Sequence, residues 1–220
     1  MTRSVLALIA SLSLIAPAFA QSAGPAPIAR DGEKLVLDAL SHRLSIPLPD
    51  WLTDEDRQVE DIAATVEANF ATDERQALLE IMPKGQSRAD EWDTLYAARI
   101  TLEPRPLTDY RRATMVGYAQ LCQPELTGFF QLDEDQGDAL APLGFVCGAF
   151  LNRLSNYAGR GEVAVMAFKR TQQGVAVVYQ EWRGRAFDPS NPETWPVPTD
   201  AVEARARELQ AEAELLPAGD

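Results

Sequence analysis

Histidine is almost missing from this 220-residue chain, which carries only His42, and cysteine is limited to Cys122 and Cys147. The shortage of histidine removes the usual general base of a Ser/His/Asp or Cys/His hydrolase, and His42, in Ser41-His42-Arg43, reads as a polar surface residue. There is no G-x-S-x-G elbow, no H-E-x-x-H helix, no P-loop and no G-x-G-x-x-G turn, so no catalytic residue is assigned and no cofactor is expected. Positive charge is scarce as well: 20 Lys and Arg face 33 Asp and Glu, for a net charge of -13. Phosphate binding needs a concentrated basic field, so nucleic acid is excluded as a partner. At 46% hydrophobic and 24% charged, the composition is that of an ordinary globular chain. The length suits one well-cored domain.

Residues 1–20 have the form of a cleavable export signal. Arg3 supplies the positive start, Val5 to Ile15 a short apolar run, and Ala18-Phe19-Ala20 the small residues a signal peptidase reads. The run falls well short of the ~20 residues that span a bilayer, and no later segment is longer, so no membrane insertion is expected after cleavage. Removal of Arg3 makes the remaining chain one unit more acidic. The expected compartment is the bacterial periplasm. There, two cysteines with no third competitor form a disulfide, Cys122–Cys147. The spacing is not C-x-x-C, and two thiolates with one histidine do not complete a zinc site.

Residues 21–32, rich in Pro, Ala and Gly, read as a flexible leader. Residues 33–187 read as a single α+β domain, an antiparallel β-sheet with helices packed on it. Strand-like pieces occur at Leu35-Val36-Leu37, Leu44-Ile46, Ala77–Met82, Leu95–Leu102 and Phe145–Leu151. Val59, Ile62, Ala63, Val66 and Phe70 fall at helical spacing, so 55–70 reads as an amphipathic helix, with a strand as the alternative. A second helix begins with Thr108 as its cap and ends near Cys122, with Tyr110, Ala113, Gly117, Tyr118 and Leu121 along one face. Glu162 to Gly184 is a hairpin turning at Thr171-Gln172-Gln173-Gly174, apolar on both faces like a central pair. Residues 188–220 comprise a Pro-rich connection and a helix to about Leu215, opened by Asp200 and Glu203 as a capping pair and packed on the domain.

Asp133, Asp135 and Asp138 begin like a calcium loop, but Gly137 and Gly144 occupy positions that need ligands, so the stretch reads as an exposed acidic loop and no metal is assigned. Arg111-Arg112 and Arg183-Arg185 are compact basic pairs suited to an anion or to neighbouring acids. Aromatic residues near strand ends, Trp92, Tyr179 and Trp182 with Arg183, form the candidate binding face.

The segment Met82-Pro83-Lys84-Gly85-Gln86-Ser87, followed by Glu91-Trp92 and a strand, resembles a pattern of uncharacterised secreted proteobacterial α+β proteins. The later order of helix, Cys, strand, Cys and a hairpin ending in Trp182-Arg183 is similar too. That resemblance implies export and fold, and no activity. The expectation is therefore an exported binding or envelope-accessory domain whose acidic surface suits a basic protein or peptide. The alternative is a carboxylate-dependent hydrolase of envelope sugar or peptide material, which requires two acids converging in one pocket.

Overall fold

The computed structural model describes residues 26–88, 92–103, 105–154 and 157–218. The export signal and the first residues of the leader lie outside them. Among the described residues the fold comprises two antiparallel sheets, two α-helices and one disulfide. The chain runs through β1 (Ile28–Asp31), β2 (Lys34–Ala39), β3 (His42–Pro47), β4 (Val66–Thr72), β5 (Gln76–Pro83), β6 (Thr94–Thr101), α1 (Leu107–Ala119), β7 (Thr127–Gln131), β8 (Leu143–Cys147), β9 (Arg160–Arg170), β10 (Val175–Arg185), α2 (Thr199–Glu212) and β11 (Glu214–Pro217). The large sheet has the order β4-β5-β6-β10-β9-β8-β7, and the small one β1-β2-β3-β11.

The β9–β10 hairpin holds the centre of the large sheet, with Val175 opposite Arg170 and Arg185 opposite Arg160. Its lack of a polar face follows from that position, because both sides of the sheet are covered. On one side Val163, Val165, Val178 and Trp182 share a core with Leu35, Leu37, Leu44 and Ile46 of the small sheet and with Val202, Ala206 and Leu209 of α2. On the other, Ala164, Met166, Val177 and Tyr179 share a core with Leu107 and Tyr110 of α1 and with the two cysteines.

Several expectations are corrected. Part of the predicted leader, Ile28–Asp31, is a strand, because Ile28 to Asp31 pair residue by residue with Leu37 to Lys34. The helical spacing across 55–70 is coincidental: 3-10 turns at Asp56–Gln58 and Ile62–Ala64 lead into β4, whose ladder to β5 outweighs the local pattern. Thr108 does not cap α1, which begins after Pro106. Asp200 and Glu203 do not form a capping box; Pro198 precedes α2, and Glu203 instead holds Arg207 one turn on, at 3.1 Å. That helix stops at Glu212, three residues earlier than expected. The chain then extends as β11, which buries Leu215 and pairs with β3.

Candidate functional site

Strand alternation decides which residues of the hairpin meet α1. On β10 the helix side receives Val177, Tyr179, Glu181 and Arg183; on β9 it receives Glu162, Ala164 and Met166. Two glutamates and an arginine thus lie on a face that is otherwise core, and all three are buried. Arg183 sits opposite Glu162 in the ladder, and its Nη2 and Nε donate to Glu162 Oε2 at 2.6 and 3.2 Å. The guanidinium carbon lies 3.6 Å from the Trp92 ring centroid, 4.3 Å from Tyr157 and 5.1 Å from Phe150. A planar, weakly hydrated cation tolerates such an aromatic box better than an ammonium would.

Glu181 accepts a 2.6 Å hydrogen bond from the Tyr118 hydroxyl of α1. Burial and the charge of Glu181 push the Tyr118 phenol well above its ordinary value, so it remains a donor. Burial, and after it the charge of Glu181, also push the Glu162 carboxyl up, to about 8, against the opposing pull of Arg183. Arg88 pairs with Glu80 of β5 at 2.7 Å and stands 5.7 Å from the Trp92 ring centroid.

Helix α1 is attached to the sheet at its two ends. At the start Leu107 is buried and the Tyr110 hydroxyl meets Thr101 Oγ1 at 2.6 Å. At the far end Cys122 is joined to Cys147 of β8, with a Cα separation of 5.7 Å, and Gln123 N donates to Ala149 O. Between these anchors the helix stands off the sheet over a cavity of about 530 Å³, a volume within the usual range for small-molecule sites. Ala113, Gly117 and Leu121, the small and apolar face predicted from periodicity, line it and stay exposed because the space beneath them is open. Gly117 has nothing within 4 Å of where a Cβ would stand.

Four arginines reach this cavity. Arg88, Arg105 and Arg183 each pair with a glutamate, respectively Glu80, Glu103 and Glu162. Arg99 of β6 does not: among the described residues no carboxylate lies within ion-pair distance of it, and its Nε is buried without a hydrogen-bond partner. A buried donor left unpaired costs about 1–3 kcal/mol.

Of the four aromatic and basic residues expected to form a binding face, Tyr179 and Arg183 line the cavity and Trp92 stacks against Arg183. Trp182 does not belong with them. Its neighbours in sequence point toward α1, so it points the other way, into the core shared with α2. His42 is not a surface residue: Nδ1–H donates to Leu40 O at 2.8 Å and Nε2 meets Thr171 Oγ1 at 2.9 Å, which ties the small sheet to the hairpin turn. A carbonyl only accepts, so Nδ1 carries a proton. Asp135 is engaged by Arg111 at 2.8 and 2.6 Å, and Asp138 by Arg170 at 3.1 Å, so those acids serve ion pairs. Glu162, Glu181 and Arg99 were missed by sequence reasoning. Their signal was available: charged residues at inward positions of strands whose other inward residues are apolar.

The fold and the site together define a disulfide-linked domain of two antiparallel sheets with a polar cavity under one helix. No family model, no curated protein and no solved structure matches the chain.

Proposed function

We propose that this protein is an exported ligand-binding domain, and that the cavity between α1 and the large sheet is where it binds a small molecule. The observation that carries the reading is the helix itself. Anchored at both ends, with Met115 and Tyr118 packed against the sheet core, it leaves Ala113, Gly117 and Leu121 over an open space lined by tyrosines, apolar side chains and arginines where a purely structural helix would bury its inner face. The form of residues 1–20 supports export to a periplasm, and the resemblance to secreted proteins supports the same. The acidic surface suits an envelope-accessory role beside a basic protein or peptide, outside the cavity.

Gly117→Trp tests the site, because Gly117 lines the cavity and nothing lies within 4 Å of where a Cβ would stand. Protein purified gently from its own host is expected to show, by native mass spectrometry, a first residue of Gln21, a mass two hydrogens below the reduced chain and a bound small molecule that the variant loses. Equal retention by wild type and variant would overturn the reading.

One observation favours the hydrolase alternative: Glu162 and Glu181 lie on adjacent strands of one cavity, Glu162 paired with Arg183 and its carboxyl pushed up by burial, Glu181 hydrogen-bonded to Tyr118. In that case Glu162→Gln abolishes turnover of envelope glycans or peptides, whereas in a binding domain the retained molecule leaves chemically unchanged.

A further inference from the structure

We infer that the ligand of this cavity is an amphipathic organic monoanion, with its acid group on Arg99 and its apolar body lying across Val177 and Met166. The inference rests on the cavity reading and adds the chemistry. Charge is the first part of the argument. Three of the four cavity arginines each have a glutamate within ion-pair distance, and among the described residues Arg99 is the one that lacks such a contact. Phosphate and other polyanions carry a second charge that would face Glu103 and Glu181 in the same cavity without compensation.

Position is the second part. In the ladder Arg99 of β6 lies opposite Val177 of β10, which lies opposite Phe168 of β9; Met166 is two residues from Phe168 on the same face. An acid group at Arg99 therefore starts a path across the sheet over apolar side chains, beneath the open face of Ala113 and Gly117. The opposite end of the cavity is closed to an acid by Glu162 and Glu181, so the ligand has one orientation. Hydrogen bonding is the third part. The buried Nε of Arg99 lacks an acceptor that a carboxylate or sulfonate supplies, in the forked geometry a guanidinium favours.

The test uses two dyes with one skeleton, 1-anilinonaphthalene-8-sulfonate and the uncharged N-phenyl-1-naphthylamine, titrated by fluorescence into the full exported chain. The expected result is that the sulfonate binds about tenfold or more tightly than the neutral dye, as a charge-assisted hydrogen bond implies. Arg99→Met should erase that preference and Arg99→Lys should keep part of it, with thermal unfolding confirming that both variants fold. Octanoate should displace the sulfonate dye from wild type and not from Arg99→Met. If both dyes respond to Gly117→Trp but the preference survives in Arg99→Met, the anion inference falls and the cavity reading stands. If neither dye responds to Gly117→Trp, both fall together.

Discussion

Arg183 and Glu162 sit opposite each other on the two central strands, buried, with aromatic rings on three sides of the guanidinium. A pair of this kind adds little net stability compared with apolar residues of equal size, yet removing one member strands a charge. Here the balance is further loaded by Glu181, whose charge helps push the Glu162 carboxyl up. The consequence for pH follows from linkage. In the unfolded chain Glu162 titrates near 4.5, and in the fold near 8. Between those values the folded protein holds a proton that the unfolded chain has released, so stability is fully present below the window and falls as pH rises through it. Asp50, pushed up chiefly by burial, acts with the same sign. Asp38, Asp135 and Asp188, held low by hydrogen bonds, lose their contribution only at more acidic pH. Thermal unfolding midpoints should therefore decline from pH 5 to pH 8, at most by the equivalent of ~1.4 kcal/mol per pH unit for one proton. Glu162→Gln should flatten that decline; an unchanged slope would show that the proton resides elsewhere.

At the scale of elements, the feature that governs the site is how α1 is mounted. Its inner face packs sparsely: Leu107 and Tyr110 are buried, Met115 and Tyr118 are partly buried against the same core, and Ala113 and Gly117 are exposed. The Cys122–Cys147 bond therefore does more than cross-link a loop. It fixes the far end of the helix over β8, and the Tyr118 hydroxyl in the last turn braces that same end against Glu181. Replacing both cysteines with serine should lower stability by about 3.5 kcal/mol on the chain-entropy model for a loop of 25 residues. It should also weaken dye binding in the cavity more than it weakens the β9–β10 ladder, a difference that amide exchange resolves strand by strand. Equal loss of protection in both places would mean that the bond stabilises the fold uniformly. The sequence reading of these elements succeeded where the signal is strong and local. The hairpin turn at Thr171–Gly174, the alternation of β6 and the α1 face all follow from short-range pattern. It failed at 55–70 and at 28–31, where pairing partners more than a few residues away decide between helix, strand and coil. The cavity was not legible from periodicity, because the same helical face serves a packed core or an open one.

Across the whole molecule, the central sheet divides two cores of different character. The side shared with α2 and the small sheet is close-packed, with Leu35, Leu44, Ile46, Leu209 and their neighbours buried. The α1 side mixes apolar residues with ionised ones around open space. The open space and the Glu162, Glu181 and Arg183 cluster thus lie on one side, the larger apolar core on the other. Trp182 departs from the expected face for this reason: one position along β10 moves a side chain from the α1 side of the sheet to the α2 side.

The small sheet has a further property. Its outermost strand, β11, comes from residues 214–217 and covers the edge of β3, from residues 42–47, with Leu215 set opposite Leu44. Leu215→Ala should cost about 2–4 kcal/mol in chemical denaturation, as for other buried leucines; a change below that range would show that the strand is dispensable. Synthesis or trimming that stops at residue 213 leaves the amide rim of β3 bare and sticky toward other chains. Residues 214–217 thus act as a seal, and a polypeptide clipped there is marked for aggregation or proteolysis even though the cavity under α1 lies on the other side of the large sheet.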